Sequence, residues 1–583
     1  MKNSLVATFL LQLADYTEME DDQPYRARAY RRAAQTIDSM REPVENLWKA
    51  RTLQEIPGVG ENIAKKIDEI LKTGRLETLE KMKQRNPVDI ASLIRVEGIG
   101  PKTVRDLYKQ LQVKNLDEFE EAVRAGKLQN FRALGVKTES QLLERIQNAR
   151  LQSNRVLLVK GLFLADRVMQ EIHKIPGIKR SVAAGSLRRM KDTIGDLDVL
   201  IETDDPRRSI EYFTKGDEVR EVVLSGDLKT SVKIDDNFQV DVRVIPTKSW
   251  GAALLYFTGS KAHNIELRTV AIRKGLRLNE YGLFKGGVEN NNNSTGGTPV
   301  AGETEQGIYS ALGLDYIEPE LRENRGEIQA AATHTLPQLL EKEDIKGDLQ
   351  MHTEWSDGNN TIEVMAEASR KLGYEYIAIT DHIGSLKIAN ALDEKRIAEQ
   401  RKKVETINES YESSGTKFHV LHGAEVNIRA DGRLDVKDAV LKEFDIVLAS
   451  IHSGFKDDVE KITTRIVSAL ENENIDILAH PTGRILLERS GYRFDVPKVF
   501  DKAIATSTVL EIDAHPSRLD LSDEMAHEAL KAGCLLSVDT DSHESSELEY
   551  MKLGVAQARR AWAEKKDILN TKTHDELVKY LSS

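Results

Sequence analysis

Cysteine and long apolar runs are almost absent from this sequence of 583 residues, and both absences exclude classes of protein. A single cysteine, Cys534, excludes a disulfide framework and any zinc site built from cysteines. No apolar run reaches the roughly 18 residues that a membrane helix needs, and no secretory leader follows Met1. The sequence therefore predicts a cytoplasmic protein without a membrane partner. Its length exceeds what one hydrophobic core can organise, so several domains are expected.

An overall excess of basic residues is also lacking, since the formal net charge is −12. The charges are unevenly distributed: residues 1–315 are mildly basic, and residues 316–583 carry a strong acidic excess. Local patches rather than the total charge decide whether a protein binds phosphate groups. The composition therefore leaves nucleic acids and nucleotides open as partners of the first part.

Hydrophobic periodicity divides the chain into a helical part and two parts that contain strands. Apolar residues recur at helical spacing in residues 1–150, whereas short alternating segments predict strands from about residue 155. A polar stretch at 289–297 predicts an exposed loop, and the charged composition of residues 316–345 predicts a connector. Beyond the connector, short apolar strands alternate with helical stretches, which is typical of a parallel α/β domain.

Two similar turns in the helical part predict contacts with a DNA backbone. Each places a Gly-x-Gly turn directly before a helix, with Gly58 and Gly60 in one copy and Gly98 and Gly100 in the other. Glycine lets backbone N–H groups approach a phosphate beside a helix N-terminus that favours anions. Two copies with matching flanks predict helix-hairpin-helix motifs, which bind the backbone without reading bases. A degenerate third candidate, residues 133–138, is interpreted as an ordinary helix start.

The segment 25–32 interleaves aromatic and basic side chains, a composition that suits phosphate contacts and base stacking at a DNA end. We expect Arg26 and Tyr30 to contact DNA there. The alternative is a solvated basic helix face without a ligand.

Carboxylates on two alternating strands predict a two-metal site for nucleotidyl transfer. Asp196 and Asp198 are spaced i, i+2, so both project from one face of a strand. A Gly185-Ser186 turn precedes them, and Asp241 in a later Val-Asp-Val strand is the best candidate for a third ligand. Two Mg²⁺ or Mn²⁺ ions shared by three aspartates would activate a primer 3′-hydroxyl and stabilise the leaving pyrophosphate.

Residues 1–315 resemble the family X DNA polymerases, the group that includes polymerase beta. The resemblance rests on the two hairpins, on residues 185–200, and on residues 256–264 with 278–282. It implies a multidomain α+β and α/β protein in which a helical helix-hairpin-helix region precedes a polymerase beta-like nucleotidyltransferase palm with fingers- and thumb-type elements. The implied domains are an N-terminal DNA-end-binding domain at 1–85, a second helical DNA-binding subdomain at 86–150, the palm at 151–250 and a nascent-base-pair-binding subdomain at 251–315.

The resemblance also implies roles for individual residues. Asp196 and Asp198 would hold both metal ions, and Asp241 would complete the catalytic-metal site and accept the primer proton. The residues implied in nucleotide binding are Ser186 and Arg189 at the triphosphate, Tyr256 and Phe257 at the sugar pocket, Gly259 in the same site, and Asn264 and Arg268 on the minor-groove side.

Lys66 lies, by the same resemblance, where polymerase beta has the lysine that forms a Schiff base with 5′-deoxyribose phosphate. Nearby cations at Lys65 and Arg26 would favour its neutral, nucleophilic form. The alternative, which we favour, is that Lys66 only binds a 5′-phosphate on the downstream strand, because Asn62 replaces a lysine one helical turn earlier.

Histidines and acidic residues of the C-terminal part follow predicted strands, at the strand ends where α/β barrels carry their chemistry. Nitrogen and oxygen donors without cysteine suit Zn²⁺ or Mn²⁺ in hydrolysis. His515 is interpreted as a supporting or structural residue. The expected metal ligands are His352, Asp357, His382, Glu425, His452, His480, Asp541 and His543.

Residues 346–583 resemble the PHP (polymerase and histidinol phosphatase) domain appended to bacterial and archaeal family X polymerases, which implies a distorted (β/α)7 barrel. The family usually has His-x-His in its first motif, but Gln350 stands in the first histidine position. A neutral amide oxygen is a poorer ligand than imidazole for these metals. The domain is therefore expected to be either a 3′→5′ exonuclease with AP-endonuclease-type cleavage or a structural domain with an impaired site.

Together these features predict a DNA-directed DNA polymerase that fills short gaps in base excision repair. Its expected partners are gapped or primer–template DNA with a 5′-phosphate and deoxynucleoside triphosphates, and a monomer associated with the nucleoid is expected. One alternative is a template-independent nucleotidyltransferase with a purely structural PHP domain. Another is a non-enzymatic module that binds DNA ends, against which the three aspartates argue.

Overall fold

A computed structural model describes residues 3–20, 24–39, 44–56, 58–96, 98–128, 131, 139–153, 155–285, 297–386 and 389–582. The chain forms two compact units, Met1–Asn154 and Arg155–Ser583. The third hairpin candidate at 133–138 and all but the last residue of the loop predicted at 289–297 lie outside the described residues. Within the described ranges, no helix is both long and apolar enough to cross a membrane.

The N-terminal unit is helical, as the periodicity predicts. In the helix Glu61–Thr73, Ile63, Ile67 and Ile70 are buried because three- and four-residue spacings place them on one face. The helix ends at Gly74 in a left-handed conformation that suits glycine. The helices described in this unit are Asn3–Glu20, Pro24–Ser39, Val44–Ala50, Glu61–Thr73, Glu77–Arg85, Ile90–Leu93, Pro101–Leu111, Leu116–Arg124 and Glu139–Ser153.

The second unit begins with a mixed sheet that carries the predicted carboxylates. The strands of this region are β1 Val156–Leu157, β2 Ile178–Ala183, β3 Thr193–Ile194, β4 Asp196–Thr203, β5 Glu221–Ser225, β6 Lys229–Lys233 and β7 Gln239–Val244. Five of them lie in the order β2-β4-β7-β6-β5, and β4 runs parallel to β7. Along β4, the alternating residues Leu197 and Val199 are buried, and Asp196 and Asp198 lie on the opposite face.

A smaller antiparallel sheet follows, in the order β10-β9-β8. Its strands are β8 Leu276–Asn279, β9 Gly282–Lys285 and β10 Thr298–Ala301. The helices between residues 155 and 345 are Leu158–His173, Gly185–Arg188, Pro206–Thr214, Trp250–Thr258, Lys261–Arg273, Glu305–Ala311 and Glu327–Thr333.

The charged segment 316–345, predicted as a connector, is folded into this region. It contains the helix Glu327–Thr333, and both Ile317 and Arg322 are buried. Arg322 pairs with Glu305 at 2.6 Å. Charged residues of the segment thus form internal ion pairs, which composition alone does not distinguish from an exposed linker.

Residues 346–582 form a nearly closed barrel of parallel strands, termed here the C-terminal barrel, which confirms the expected distorted (β/α)7 architecture. Its strands are β11 Gly347–Asp348, β12 Tyr376–Ile379, β13 His382–Ile383, β14 His419–Asn427, β15 Ile446–Ser450, β16 Ile477–Leu478, β17 Val509–Asp513 and β18 Leu536–Asp539. They lie in the order β11-β12-β14-β15-β16-β17-β18, with β13 paired to β14, and a bridge between Met351 and Ser542 links the two ends. The surrounding helices are Ile362–Lys371, Glu394–Ser413, Asp438–Leu441, Val459–Ala469, Val496–Ala505, Asp523–Ala532, Met551–Arg560 and His574–Leu581.

The C-terminal barrel shares a hydrophobic core with the mixed sheet. Leu519 and Leu553 of the barrel are buried in one cluster with Leu187 and Val242 of the sheet region. The barrel is therefore packed against the part of the chain that carries the aspartates.

Candidate active sites

The predicted catalytic carboxylates lie side by side on two adjacent strands. Because β4 and β7 are parallel and in register, Asp198 lies directly beside Asp241, and Asp196 precedes Asp198 on the same face. Gly185 has a φ of +64°, and a Cβ there would lie 3.0 Å from Asp198 Oδ2. The turn before Ser186 thus requires glycine both for its conformation and for its close approach to the carboxylate.

The electrostatics of the three aspartates favour a bound cation. Burial, and then the charge of Asp196, raises the pKa of Asp198 to about 6. Burial and the charge of Asp241 also raise the pKa of Asp196. Burial alone would raise the pKa of Asp241, but hydrogen bonds from Ser231 and Gln239, among others, lower it. A divalent cation would relieve the repulsion between these oxygen donors, so the residues fit a metal ion.

Two cations beside Asp241 belong to the same site. Lys229 Nζ and Arg243 Nη2 each lie 3.1 Å from Asp241 Oδ2. The Arg243 guanidinium also stacks on the Phe257 ring, 4.4 Å from its centroid. Arg243 thereby connects the predicted sugar-pocket residue to the third carboxylate. Its position two residues after Asp241 on the same strand is the sequence signal that could have identified it.

Three of the predicted nucleotide-site residues lie together. Tyr256, Asn264 and Arg268 line one small cavity with Leu255 and Asn279. The Asn264 amide donates to the Tyr256 carbonyl at 2.7 Å, and Arg268 Nε donates to the Asn264 carbonyl at 3.1 Å. These bonds hold the cavity wall in one arrangement, as a site for a shaped ligand requires.

Arg189, predicted at the triphosphate, is held by two bonds. Its Nε donates to Glu323 Oε1 at 3.0 Å, and its Nη1 donates to the Thr258 carbonyl. Gly259 has a φ of +71°, and a Cβ there would lie 3.1 Å from Arg189 Nη1. The absence of a side chain at Gly259 therefore leaves room for Arg189, another predicted residue of the nucleotide site.

Two glutamates outside any recognisable motif pair with the arginines of this turn. Arg188 makes a bidentate pair with Glu305, at 2.9 and 2.7 Å, and Arg189 pairs with Glu323. These partners lie 117 and 134 residues further along the chain. No local spacing predicts them.

The metal ligands predicted in the C-terminal barrel converge around Glu425. His452 and His480 each lie 3.2 Å from its Oε1, and His352 lies 3.3 Å from its Oε2. His352 and His382 each belong to two potential metal groups, so the arrangement suits several ions that share ligands. Among the described residues, the groups with ligand atoms within 4.8 Å of one another are His352, Asp541 and His543; His352, Asp357 and His382; and His382, Glu425 and His452.

Several buried polar atoms in this cluster have no hydrogen-bond partner among the described residues. They are both ring nitrogens of His352, Nδ1 of His480 and Oε1 of Gln350. Buried polar atoms are normally paired, because an unpaired one costs about 1–3 kcal/mol. Metal coordination would satisfy them, so the residues present fit divalent metal ions.

Gln350 is fully buried, with its amide at the metal cluster. Its Nε2 donates to Glu425 Oε2 at 3.1 Å, and its Oε1 is the unpaired atom. An amide oxygen is a neutral ligand with a free lone pair. Gln350 therefore fits the cluster as an oxygen ligand in the place of the usual histidine.

The protonation states of the cluster are mostly those that metal ligands need. Burial would raise the pKa of Glu425, but the charge of His382 and hydrogen bonds from neighbouring histidines hold it well below its usual range. Burial lowers the pKa of His382 to about 4. His352 differs, because the neighbouring carboxylates of Asp541 and Glu425 raise its pKa despite burial. A metal ion bound there would displace a proton from His352.

Further acidic residues line the barrel beside the cluster. Burial and neighbouring carboxylates raise the pKa values of Glu511 and Asp513 on β17. Arg518 Nε lies 3.4 Å from Asp513 and 3.8 Å from Asp541. The His515 backbone N–H donates to Asp513 Oδ1 at 2.7 Å, in line with a supporting role. The alternation of acidic and apolar residues along β17 is the signal that could have identified these acids.

The two predicted hairpins have the same local geometry. Gly58 and Gly98 both have a φ of +84°, and Gly60 and Gly100 both precede a helix in an extended conformation. In each copy the residue between the glycines donates a 2.9 Å hydrogen bond to the apolar residue that begins the turn. A Cβ at Gly60 or Gly100 would meet none of the described residues within 4 Å, so open space lies beside both helix N-termini.

The aromatic and basic segment differs from its prediction at Tyr30. Arg26 is exposed, but Tyr30 on the same helix is only 7% exposed and packs in the core. Helical spacing turns Tyr30 inward, away from a surface where a base could stack. Lys66 is half-buried, and the nearby Lys65 is paired with Glu61 at 2.7 Å.

Comparison with protein families identifies the same parts of the chain. The family of the DNA polymerase beta thumb matches residues 253–323, and the PHP domain matches residues 348–507. A helix-hairpin-helix domain matches residues 1–76, and a SAM-like helix-hairpin-helix tandem matches residues 50–112 and 90–148.

Individual proteins similar to this chain extend the comparison. The chain is 35% identical over 578 residues to the DNA polymerase/3′-5′ exonuclease PolX of Bacillus subtilis, covering 99% of this chain and 98% of that protein. It is 30% identical over 325 residues to DNA polymerase lambda of Rattus norvegicus and 28% identical over 322 residues to DNA polymerase lambda of Arabidopsis thaliana. The matched region is 51% of this chain in both cases, and 52% and 58% of the two lambda proteins.

Proposed function

Because the chain belongs to the family X DNA polymerases with a C-terminal PHP domain, we propose that it fills short gaps in DNA during base excision repair and removes nucleotides from DNA 3′ ends. The observation that carries the polymerase activity is the register of β4 and β7, which brings Asp198 beside Asp241 with Asp196 on the same face. The observation that carries the nuclease is the set of mutually close potential metal ligands in the C-terminal barrel, which share His352 and His382.

In the polymerase site, Asp196 and Asp198 would hold Mg²⁺ or Mn²⁺, and Asp241 would complete the catalytic-metal site and take the proton of the primer 3′-hydroxyl. The bound ions would supply Lewis-acid activation and charge neutralisation for nucleotidyl transfer. The triphosphate would lie against the Gly185 turn. The remaining proposed nucleotide contacts are Ser186 and Arg189 with the triphosphate, Tyr256, Phe257 and Gly259 around the sugar, and Asn264 and Arg268 with the nascent pair.

The helix-hairpin-helix turns would bind the backbone of gapped DNA. The open space beside Gly60 and Gly100 allows a phosphate to reach backbone N–H groups at a helix N-terminus. Lys66 and Arg26 would contact the 5′-phosphate of the downstream strand. A lyase role for Lys66 is the second candidate, and the absence of a borohydride-trapped adduct with a 5′-deoxyribose-phosphate strand would exclude it.

In the C-terminal barrel, the eight predicted ligands and Gln350 Oε1 would hold Zn²⁺ or Mn²⁺ for phosphodiester hydrolysis. Asp541 and Glu425 lie 3.1 and 3.3 Å from Nε2 of His352, and Asp357 lies 3.8 Å from its Nδ1. His352 would therefore orient the cluster as a shared ligand. This site would cleave nucleotides from a DNA 3′ end. We propose that it also cleaves DNA at abasic sites, as an AP endonuclease does.

A primer-extension assay tests the polymerase proposal. With Mg²⁺ and a one-nucleotide gap, the protein should add the templated nucleotide in preference to the other three. Equal incorporation of all four nucleotides, or extension of a single strand, would instead support the template-independent transferase.

Digestion of a 5′-labelled single strand with Mn²⁺ tests the nuclease proposal. The wild-type protein should shorten the strand stepwise, and His352→Ala should abolish the shortening because it removes a ligand common to two metal groups. Equal digestion by wild type and His352→Ala would show that the nuclease activity does not come from this cluster.

We further propose a monomer that acts in the cytoplasm on nucleoid DNA. The support is that one chain supplies every residue assigned to both sites. Sedimentation of the protein with and without gapped DNA tests the monomer.

A further inference from the structure

A buried arginine of the C-terminal barrel contacts the proposed triphosphate site. Arg560 ends the helix Met551–Arg560, and its side chain is fully buried. Its Nη1 donates to the main-chain carbonyl of Arg189 at 2.5 Å. Its Nη2 donates to Glu323 at 3.0 Å and to Asp523 at 2.7 Å. One side chain thus joins the barrel, the segment after the small sheet and the turn beside the catalytic aspartates.

Glu323 is shared between two arginines from different parts of the fold. Its Oε1 accepts from Arg560 Nη2 and from Arg189 Nε, in both cases at 3.0 Å. Its pKa is lowered because the charges of Arg189 and Arg560 outweigh the effect of burial. Glu323 therefore stays anionic and holds both guanidinium groups.

The consequence for Arg189 is that Arg560 fixes both of its ends. The main chain of Arg189 is bound directly through its carbonyl, and its guanidinium is bound indirectly through Glu323. A group that must meet a triphosphate within a few tenths of an ångström depends on such supports. Arg560 itself lies in the barrel, far along the chain from the residues that it supports.

We propose that Arg560 is a positioning residue of the polymerase, through which the PHP domain sets the affinity for the incoming nucleotide. The inference rests on the proposed function, in which Arg189 binds the triphosphate. It predicts that polymerisation depends on a barrel residue that has no part in the nuclease.

Arginine is required at position 560 because its planar guanidinium group donates to three acceptors at once, on Arg189, Glu323 and Asp523. Lysine carries the same charge on a single nitrogen and cannot reproduce that geometry. Arg560→Lys should therefore retain the charge and part of the function, whereas Arg560→Met should lose both.

The test measures dNTP KM and kcat for one-nucleotide gap filling by the full-length protein, with 3′→5′ digestion as a second readout. For Arg560→Met the account predicts a KM about 10- to 100-fold higher, a smaller change in kcat, and unchanged digestion. Arg560→Lys should give an intermediate KM.

Arg559→Met is the matched control, because Arg559 precedes Arg560 on the same helix and pairs with Glu320 at 2.9 Å and Glu341 at 2.7 Å. It removes comparable ion pairs of the barrel without touching Arg189 or Glu323, so its KM should equal that of the wild type. A raised KM in this control would indicate a general effect of destabilisation and would overturn the assignment to Arg560.

Glu323→Gln provides a second test if Arg560→Met does not fold. Glutamine keeps an oxygen acceptor of the same shape but loses the charge, so the KM should again rise. A KM that is unchanged or lower in Glu323→Gln, or unchanged in a folded Arg560→Met, overturns the positioning role. Absence of gap filling by the wild type would instead overturn the proposed polymerase function.

Discussion

At the scale of single residues, Gln350 decides which donor atom the metal cluster of the C-terminal barrel has at its position. Its buried Oε1 has no hydrogen-bond partner in the part of the chain that the structure describes, and its Nε2 donates to Glu425. Replacement by histidine restores an imidazole at the metal cluster. Gln350→His should therefore lower the Mn²⁺ concentration for half-maximal exonuclease activity by about tenfold or more, since changes around metal ligands typically alter affinity by that amount.

The measurement is a Mn²⁺ titration of 3′→5′ digestion, accompanied by calorimetric metal binding. Identical titrations for wild type and Gln350→His would show that the Gln350 oxygen does not coordinate metal. Activity found only in Gln350→His would show that the natural site is impaired.

Asp476 lies away from both proposed sites and should make the free energy of unfolding depend on pH. Burial raises its pKa to about 7, although the Val447 N–H donates to its Oδ2 at 2.8 Å. At pH values between the two pKa values, the Asp476 carboxyl is therefore protonated in the folded protein, whereas in the unfolded chain, with a pKa of about 3.9, it is ionised. The contribution of Asp476 to stability is complete below the unfolded pKa and is lost as pH rises through about 7.

Asp476→Asn removes this dependence, because asparagine is neutral and still offers an oxygen to Val447. At pH 8 the variant should be more stable than the wild type by on the order of 2 kcal/mol, and at pH 4 the two should be nearly equal. Urea denaturation at both pH values measures the difference. A stability difference that does not change with pH contradicts the account.

Individual residues were predictable where local spacing carries the information. The i, i+2 spacing predicts that Asp196 and Asp198 share a face, as they do. The composition of its segment predicts an exposed Tyr30, but the position of Tyr30 on the helix turns its side chain into the core. Glu323 and Arg560 have no local signal at all, since their partners are brought near only by the folding of distant segments.

At the scale of elements, the helix starts after Gly60 and Gly100 are the units expected to contact DNA. Both glycines have negative φ values, and a Cβ at either position meets nothing within 4 Å. Gly60→Ala with Gly100→Ala should leave the fold intact, because the lower flexibility of the unfolded chain offsets the loss of two glycine N-caps. The added methyl groups would occupy the space that a phosphate needs, so affinity for gapped DNA should fall severalfold.

Fluorescence anisotropy over a series of salt concentrations measures this effect. Single substitutions at Gly60 and at Gly100 show whether the two turns contribute equally. DNA affinity that is unchanged in the double variant would mean that these turns do not approach the backbone.

Elements with clean periodicity are predictable, and those interrupted by functional residues are not. In the C-terminal part the sequence predicts strands at 376–380, 446–450, 475–479, 509–513 and 535–538. The strands β15 and β17 have the predicted bounds because their apolar residues are continuous or alternate. The strand β14 is not among those that the sequence predicts, because histidine, glycine and glutamate interrupt its pattern. Those interruptions include Glu425, at the centre of the metal cluster.

At the scale of the whole molecule, two sites of opposite chemistry occupy one packed unit. The barrel and the mixed sheet share a hydrophobic cluster, and the segment 316–345 is folded between them through ion pairs such as Arg559–Glu320. The resemblance implies both domains, whereas the charged composition of residues 316–345 predicts a connector. Its integration depends on long-range pairing, which sequence spacing does not encode.

The central claim is that gap filling and 3′→5′ degradation come from two separate sites of one chain. It is tested most directly by one assay in which a 5′-labelled primer in a gapped duplex is incubated with dNTPs and Mn²⁺. Asp198→Asn should reduce extension by at least about 10³-fold and leave shortening of the primer intact. Asp541→Asn should abolish shortening and leave extension intact. Loss of both activities in either variant, or extension that survives in Asp198→Asn, would contradict the account.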